Sequence, residues 1–296
     1  MPATVPNRAQ HQGAEGAGQA KAAVSTGYRG VAAAWRRWKP QFDIAGRAGT
    51  ELIVHAARVE SGMRVLDVAS GAGEPALALA AAVGLSGAVV ATDLVSEMLA
   101  TAAELADTRG LANLSFAVAD AEALPFGDEG FERVTCRTAV MHFPDPVQAV
   151  CEVRRVLKPG GRAAFTALGP FEMTSAATST VGVLMQYLAT PPRPAPGVPS
   201  PYQFARPSAL AAVFCSAGFH QVEETLHTVP WPWPGPAEEY LRSLPEHAWG
   251  FGELLDALLP EQRRQAIAEM LAAIRACDDG HRLCFTAPLV LVTGTR

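Results

Sequence analysis

The fold of this chain is decided by the stretch Val65-Leu66-Asp67-Val68-Ala69-Ser70-Gly71-Ala72-Gly73-Glu74-Pro75. Its apolar start predicts a short buried strand, and Gly71 and Gly73 allow a sharp turn in which no Cβ separates the backbone from a ligand. Pro75 suits the first turn of a helix, where its missing N–H is not needed. A strand, a glycine turn and a helix N-terminus together predict a cradle for a small ligand.

Outward from this stretch, strands and helices alternate along the chain. Glycine and proline turns separate apolar strand-like runs from longer helical runs, which is the spacing of right-handed crossovers. The sequence therefore predicts an α/β fold with a doubly wound, mostly parallel, seven-stranded sheet and a ligand at the carboxyl ends of the strands. The predicted strands cover residues 63–68, 88–92, 114–118, 133–136, 162–167, 220–229 and 282–293.

The domain organisation follows from changes in composition. Residues 1–25 are rich in Gly, Ala and Gln, which predicts a disordered tail. Residues 26–296 form one domain, in which the spacing of Tyr28, Val31 and Trp35 predicts an amphipathic helix. Two segments interrupt the alternation, at about 170–202 and 231–276, and we expect them to form a helical cap over the strand ends. The proline-rich segments beside them are expected to act as hinges of a mobile cap.

Composition excludes several classes of function. The 296 residues are 49% hydrophobic and 18% charged, with a net charge of −5 and no dense Lys/Arg run, so no nucleic-acid partner is expected. The five cysteines contain no CxxC pattern, which predicts reduced thiols and no metal site. No signal peptide is visible, and Gly84, Ser86 and Gly87 interrupt the longest apolar run. We therefore expect a cytoplasmic protein without a membrane span. The sequence does not determine the oligomeric state, and it is compatible with a homodimer.

Polar side chains follow four neighbouring strands. Asp67 ends the first predicted strand, Asp93 the second, and Asp120 follows the third, while Arg137 and Thr138 follow the fourth. Because the carboxyl ends of parallel strands meet at one edge of a sheet, these side chains are expected to surround one ligand. An acid at the end of the second strand commonly accepts hydrogen bonds from ribose hydroxyls.

Four motifs in order extend this pattern into a family resemblance. They are the stretch Val65–Gly73, the run Ala91-Thr92-Asp93-Leu94 with Glu97-Met98-Leu99, the run Asp120-Ala121-Glu122-Ala123-Leu124-Pro125-Phe126, and the run Val156-Leu157-Lys158-Pro159-Gly160-Gly161. Residues from about 62 to 169 resemble the class I S-adenosylmethionine (SAM) methyltransferases, and in particular the ubiquinone/menaquinone-biosynthesis C-methyltransferases and bacterial secondary-metabolite methyltransferases. The resemblance covers just over a third of the chain.

The resemblance implies SAM as cofactor and a role for each matching residue. Asp67 and the Gly71/Gly73 turn would hold the aminocarboxypropyl group, and Asp93 would bind the ribose. The other implied cofactor-binding residues are Leu94 and Met98 against the adenine, Asp120 and the Ala121 N–H at its polar edge, Arg137 and Thr138 beside the methionine part, and Tyr28 closing over the cofactor. Many relatives have glycine where Ala69 stands, and we expect slightly tighter packing there without a loss of binding.

The candidate catalytic residue is His142, in the loop after the fourth strand. Its unperturbed pKa suits a general base, but a histidine that only fixes the turn beside Pro144 and Asp145 is the simpler interpretation. The acceptor is expected to be small and largely apolar, because Trp231, Trp233, Trp249, Phe251 and Tyr187 fall in the expected cap.

Two other functions remain open from the sequence. Gly71-Ala72-Gly73-Glu74-Pro75-Ala76 also fits a loose G-x-G-x-x-A, as in NAD(P)-dependent oxidoreductases. Asp67 argues against that reading, because dinucleotide folds usually carry a small apolar residue there. A protein that binds SAM without methylating anything is the third hypothesis, since the binding motifs say nothing about the acceptor or the atom that is methylated.

Overall fold

The computed structural model describes residues 8–188 and 198–296. The described part begins with two helices, α1 (Arg8–Arg37) and α2 (Lys39–Ala56), and the amphipathic helix predicted around Tyr28, Val31 and Trp35 is the C-terminal part of α1. The predicted disordered tail was therefore wrong for residues 8–25, which belong to α1. Tertiary contacts explain the difference, because Ala20 is buried against the body of the protein in spite of the composition around it. Residues 1–7 lie outside the described part.

Seven strands form one sheet, in the order β3-β2-β1-β4-β5-β7-β6. All neighbours up to β5 pair in parallel, whereas β7 runs antiparallel to both β5 and β6. The predicted α/β fold with a mostly parallel seven-stranded sheet is confirmed. The strands are β1 (Arg64–Val68), β2 (Ala88–Asp93), β3 (Leu114–Val118), β4 (Phe131–Arg137), β5 (Leu157–Leu168), β6 (His220–Pro234) and β7 (Arg282–Thr295).

Helices cover the sheet because parallel strands need crossovers that bury both faces. The crossover and flanking helices are α3 (Ala76–Val83), α4 (Ser96–Thr108), α5 (Pro146–Val156) and α8 (Ala209–Ser216). The main core lies between the sheet and α5 and α8, where Phe131, Phe165 and Phe214 are completely buried. No helix in the described ranges is long and apolar enough to cross a membrane.

The remaining helices form a second hydrophobic cluster, which we call the cap. It consists of α6 (Ser175–Thr178), α7 (Val181–Tyr187), α9 (Ala237–His247), α10 (Phe251–Asp256) and α11 (Pro260–Arg275). Leu184 of α7, Tyr240 of α9 and Met270 of α11 pack together with Trp38, between α1 and α2. The helical part of the expected cap segment 231–276 thus consists of three helices, and Gly250 at φ 84° makes the first break possible. Residues 189–197, which carry most of the first proline-rich segment, lie outside the described part.

The second insertion begins later than predicted. Residues 231–234, expected to open it, are the last four residues of β6 and pair with β7 down to Pro234–Arg282. The prolines at 230, 232 and 234 suggested a loop, but β6 is an edge strand, where a residue without an N–H is tolerated. The period of two then brings Trp231 and Trp233 to the same side, and Trp233 is completely buried.

Candidate functional site

A cavity of about 200 Å³ lies at the carboxyl ends of β1, β2 and β4. At its centre, the Asp93 carboxylate accepts the backbone N–H groups of Gly71 and Val95, both at 2.9 Å. Burial raises the pKa of Asp93, although these backbone N–H groups oppose the shift. Gly71 has φ 53° and no heavy atom within 4 Å of the position of a Cβ, so the turn faces open space. The Asp93 carboxylate is therefore a fixed hydrogen-bond acceptor beside the accessible backbone turn at Gly71.

Two residues of the cavity wall have left-handed backbone conformations although they carry a Cβ. Ala69 has φ 54° and Thr138 has φ 48°, and such positions cost of order 1–3 kcal/mol each. The main effect of alanine at position 69 is therefore backbone strain, which glycine would not have, and not the tighter packing that was expected. Strain of this kind is often found in residues that line functional sites.

Asp67 and Gly73 do not line this cavity. Asp67 is completely buried in β1, where its Oδ1 accepts the Thr135 hydroxyl at 2.6 Å. Its Oδ2 has no hydrogen-bond partner among the described residues. Burial raises the pKa of Asp67 to about 7, against the opposing effects of Thr135 and Arg137. Gly73 has φ 110°, and a Cβ there would lie 2.9 Å from Leu77 Cδ1, so its role is local packing.

One end of the cavity is bounded by the loop after β3. Leu94 and Met98 supply apolar walls, and Asp120 and Ala121 also line the cavity. The Asp120 carboxylate accepts the Glu122 N–H at 2.9 Å and pairs with Lys21 Nζ at 2.7 Å. Lys21 was not predicted, because it falls within the segment expected to be disordered.

The other end of the cavity carries a cluster of charges. Lys39, at the start of α2, forms an ion pair with Asp43, and both line the cavity together with Glu74 and Arg137. Burial raises the pKa of Glu74 and lowers that of Arg137. The Arg137 Nε donates to the Glu74 carbonyl at 3.2 Å. Sequence reasoning found only Arg137, since nothing local indicates that α2 lies against this edge.

Tyr28 and His142 meet in the cavity wall. The Tyr28 hydroxyl lies 3.0 Å from His142 Nε2, and the two rings pack edge to face with centroids 5.5 Å apart. Burial lowers the pKa of His142 to about 4. Burial, with a smaller contribution from Asp93, raises the pKa of Tyr28 to about 12. At neutral pH, His142 is therefore an uncharged base with a fixed orientation. In the same loop, Asp145 is the N-cap of α5, and its carboxylate accepts the backbone N–H of Gln148.

A second cavity of about 580 Å³ continues from the first under the cap. Tyr28, Arg137, Thr138 and His142 line both cavities. None of the described residues that line the second cavity is a carboxylate or a lysine, and its walls are mostly apolar and aromatic. They include Trp35, Phe42, Trp231, Tyr240, Leu244, His247, Trp249 and Phe251. Of the predicted aromatic set, Trp233 is core instead, and Tyr187 bonds to Glu269 away from the cavity.

The structure thus brings most of the predicted site residues together. Eleven of the thirteen line the first cavity, and Asp67 and Gly73 lie behind its wall. Their individual roles toward a ligand remain predictions. The lining residues are Tyr28, Ala69, Gly71, Asp93, Leu94, Met98, Asp120, Ala121, Arg137, Thr138 and His142.

Comparisons with known proteins find a family match for the central part of the chain. Residues 66–165 match a family described as a methyltransferase domain. The chain is 40% identical over 111 residues to the uncharacterized methyltransferase YcgJ of Bacillus subtilis, and 41% identical over 118 residues to the ubiquinone/menaquinone biosynthesis C-methyltransferase UbiE of Xylella fastidiosa. These alignments cover 38% and 40% of this chain, and they span less than half of each relative, 43% and 47%.

The similarity in structure extends further than the similarity in sequence. The crystal structure of B. subtilis YcgJ matches with a TM-score of 0.55 at 23% identity, over 84% of this chain and 98% of that one. Residues 66–165 of the chain therefore match a methyltransferase domain, and the chain has the fold of the class I SAM-dependent methyltransferases, the class whose cofactor is SAM.

Proposed function

We propose that this protein transfers a methyl group from SAM to a small, largely apolar acceptor. The observation that carries the proposal is the pair of joined cavities with the Tyr28–His142 pair in their common wall. One cavity carries the polar groups suited to the cofactor, and the other is apolar and wide enough for an acceptor.

The residues of the first cavity fit SAM chemically. The Asp93 carboxylate can accept hydrogen bonds from a pair of hydroxyls, and the open turn at Gly71 leaves room beside it. Lys39 and Arg137, with Asp43 and Glu74, supply both signs of charge, as a zwitterionic amino acid group requires. Leu94 and Met98 would pack against the flat base, and Asp120 and Ala121 would lie at its polar edge.

Bound SAM supplies an already activated methyl group, so the protein need not create a strong electrophile. What the chain must provide is position, and holding two reactants in line contributes on the order of 7–11 kcal/mol. His142 is neutral at pH 7 and can accept a proton from an acceptor hydroxyl or acidic carbon. The Tyr28 hydroxyl fixes the orientation of its ring at 3.0 Å. A positioned base adds about 10²–10⁴-fold to the rate.

The second cavity supports an apolar or aromatic acceptor. Its volume of about 580 Å³ lies within the usual range for small-molecule sites, which are mostly apolar with few polar groups. The UbiE proteins are named for C-methylation in ubiquinone and menaquinone biosynthesis. For this chain, we propose an acceptor of quinone-like or secondary metabolism. Residues of α6, α7, α9 and α10 line this cavity, which favours a small acceptor over a folded protein or RNA.

Calorimetry tests the cofactor, and a methylation screen tests the acceptor. We expect micromolar binding of SAM and S-adenosylhomocysteine and no binding of NAD. Incubation with SAM and a panel of quinols, phenols, indoles and amines, followed by mass spectrometry, should give methylated products from the apolar members. Tight NAD binding without SAM binding would instead identify an oxidoreductase. SAM binding with no turnover of any acceptor would indicate a protein that binds SAM without methylating.

A further inference from the structure

Lys21 of α1 stands between two carboxylates at the edge of the first cavity. Its Nζ lies 2.7 Å from Asp120 Oδ2 and 2.5 Å from Glu122 Oε2. Two carboxylates that share one ammonium would repel each other without it, and Glu122 is buried. Burial disfavours the charged form of Lys21, but the bonds to Asp120 and Glu122 outweigh this and raise its pKa. The ammonium is therefore charged at every pH near neutrality.

The same contacts connect two parts of the site. Asp120 lines the end of the cavity that Leu94 and Met98 bound. Glu122 accepts the Asp145 N–H at 2.8 Å, and Asp145 lies three residues after His142. The carboxylates that Lys21 holds thus fix both the loop after β3 and the loop that carries the candidate base.

The position of Lys21 on α1 adds a third connection. Lys21 and Tyr28 are seven residues apart, about two helical turns, so their side chains leave the same face of α1. Both line the first cavity, and Tyr28 reaches His142 from there. When Lys21 is in contact with Asp120, Tyr28 is in contact with His142, because one rigid helix carries both.

We propose that Lys21 is a positioning residue, which holds Asp120 ready for the amino group of the cofactor's base and makes this recognition depend on the docking of α1. This inference rests on the proposed function, since it assumes that the first cavity binds an adenosine-containing cofactor. Lys21 itself has no contact with the methyl-transfer reaction. Its effect passes through Asp120, so it should change the choice between bases more than the binding of the rest of the cofactor.

The test compares two ligands that differ only at the base. S-adenosylhomocysteine carries the amino group, and S-inosylhomocysteine carries a carbonyl oxygen in its place. We expect the unmodified protein to bind the adenosyl compound at least about tenfold more tightly than the inosyl compound. This ratio corresponds to the loss of one charge-assisted hydrogen bond. In Lys21→Met, this preference should fall to about threefold or less, while the affinity for the inosyl compound changes little.

Three further variants make the test specific. Lys21→Arg keeps the charge and should retain the preference. Arg36→Met removes a cation from the same helix, where Arg36 pairs with Glu104 at the surface, and should leave both affinities unchanged. The double variant Lys21→Met, Glu122→Gln removes the buried carboxylate that Lys21→Met leaves unpaired, so it separates a loss of base preference from a loss of folding. Hydrogen exchange of residues 18–28 should increase in the two variants that carry Lys21→Met, and not in Lys21→Arg or Arg36→Met.

The outcomes separate this inference from the proposed function. Failure of the unmodified protein to bind S-adenosylhomocysteine would overturn the proposed function and this inference with it. If the unmodified protein binds and prefers the adenosyl compound, a Lys21→Met variant with the same preference overturns the inference alone. An equal loss of affinity for both compounds would also overturn it, since a general structural role predicts that result. Tighter binding of both compounds in Lys21→Met would overturn it as well, because Lys21 would then obstruct the site and not position Asp120.

Discussion

The contact between α1 and the loop before α10 can be tested by adding a single methyl group. A Cβ placed on Gly27 would lie 2.5 Å from Trp249 Cε2 and 2.6 Å from its Cδ2, which is closer than real Cβ contacts. Trp249 also packs against Tyr28, with ring centroids 6.3 Å apart. Gly27 therefore gives the indole room to lie on α1, and Gly27→Ala should force the two apart.

Gly30 provides a matched control on the same helix. A Cβ there meets no heavy atom within 4 Å. Replacing glycine by alanine inside a helix stabilises a protein by about 1 kcal/mol, so Gly30→Ala should raise the free energy of unfolding by that amount. Gly27→Ala should gain the same from helix propensity but lose about 1–3 kcal/mol to overpacking. We expect Gly30→Ala to be the more stable of the two variants by about 1–3 kcal/mol.

Urea unfolding of both variants measures this difference, and Trp249→Ala tests its cause. In the Trp249→Ala background the clash is absent, so Gly27→Ala should become stabilising, and the coupling free energy between the two positions should be about 1–3 kcal/mol. Because Trp249 lines the second cavity, Gly27→Ala should also raise the KM for the acceptor while binding of S-adenosylhomocysteine changes little. If Gly27→Ala stabilises the protein as much as Gly30→Ala, α1 does not pack on Trp249 in solution and the reasoning fails.

Three further predictions concern the acids and the base of the site. His142→Ala should lower kcat by about tenfold or more with cofactor affinity intact, because a base acts in the chemical step. Since the pKa of His142 is about 4, the neutral base persists between pH 6 and 8, and the rate should show no acid limb there; unchanged turnover would leave His142 as a turn residue. Asp93→Ala should weaken binding of S-adenosylhomocysteine by about 10-fold or more, the loss of at least one charge-assisted bond, while circular dichroism stays native; unchanged affinity would refute the ribose role. Asp67→Asn should alter the pH dependence of stability. The folded pKa of Asp67 is raised from 3.8 to about 7, so the unmodified protein should lose up to about 4 kcal/mol of stability as the pH rises from 4 to 7. The Asn variant should lack that loss. If the stability of both proteins depends on pH in the same way between pH 4 and 7, the raised pKa of Asp67 is contradicted.

The central sheet could be predicted because its signals are local. Each strand is a short apolar run followed by a turn, and β3 was predicted at its observed bounds, Leu114–Val118. Residues that leave the ends of such strands must meet at one edge, so Asp93, Asp120 and Arg137 were found without knowledge of their contacts. Asp67 lies one residue short of the end of β1, and its side chain is consequently buried in the sheet rather than exposed in the cavity.

The residues that reach the site from elsewhere could not be found in this way. Lys39 and Asp43 depend on where α2 packs, which no local pattern specifies. In β6, the prolines at 230, 232 and 234 suggested a loop, because the sequence does not reveal that this strand lies at an edge of the sheet. The pairing with β7 decides that Trp233 belongs to the core and Trp231 to the wall of the second cavity.

In helix α1, the seven-residue spacing of Tyr28 and Trp35 extends further toward the N-terminus than predicted. Tyr28 and Trp35 are seven residues apart, and that spacing identified one face of a helix. One more step of seven toward the N-terminus reaches Lys21, which lines the same cavity as Tyr28 and Trp35. The Trp35 Nε1 donates to the His247 carbonyl of the cap at 3.3 Å. A single face of α1 thus contacts the acids of the first cavity, the candidate base and the cap in turn. Alanine-rich and glycine-rich composition indicated disorder here because it offers little surface to bury. The ion pairs of Lys21 and the packing of Tyr28 are tertiary contacts that composition does not reveal.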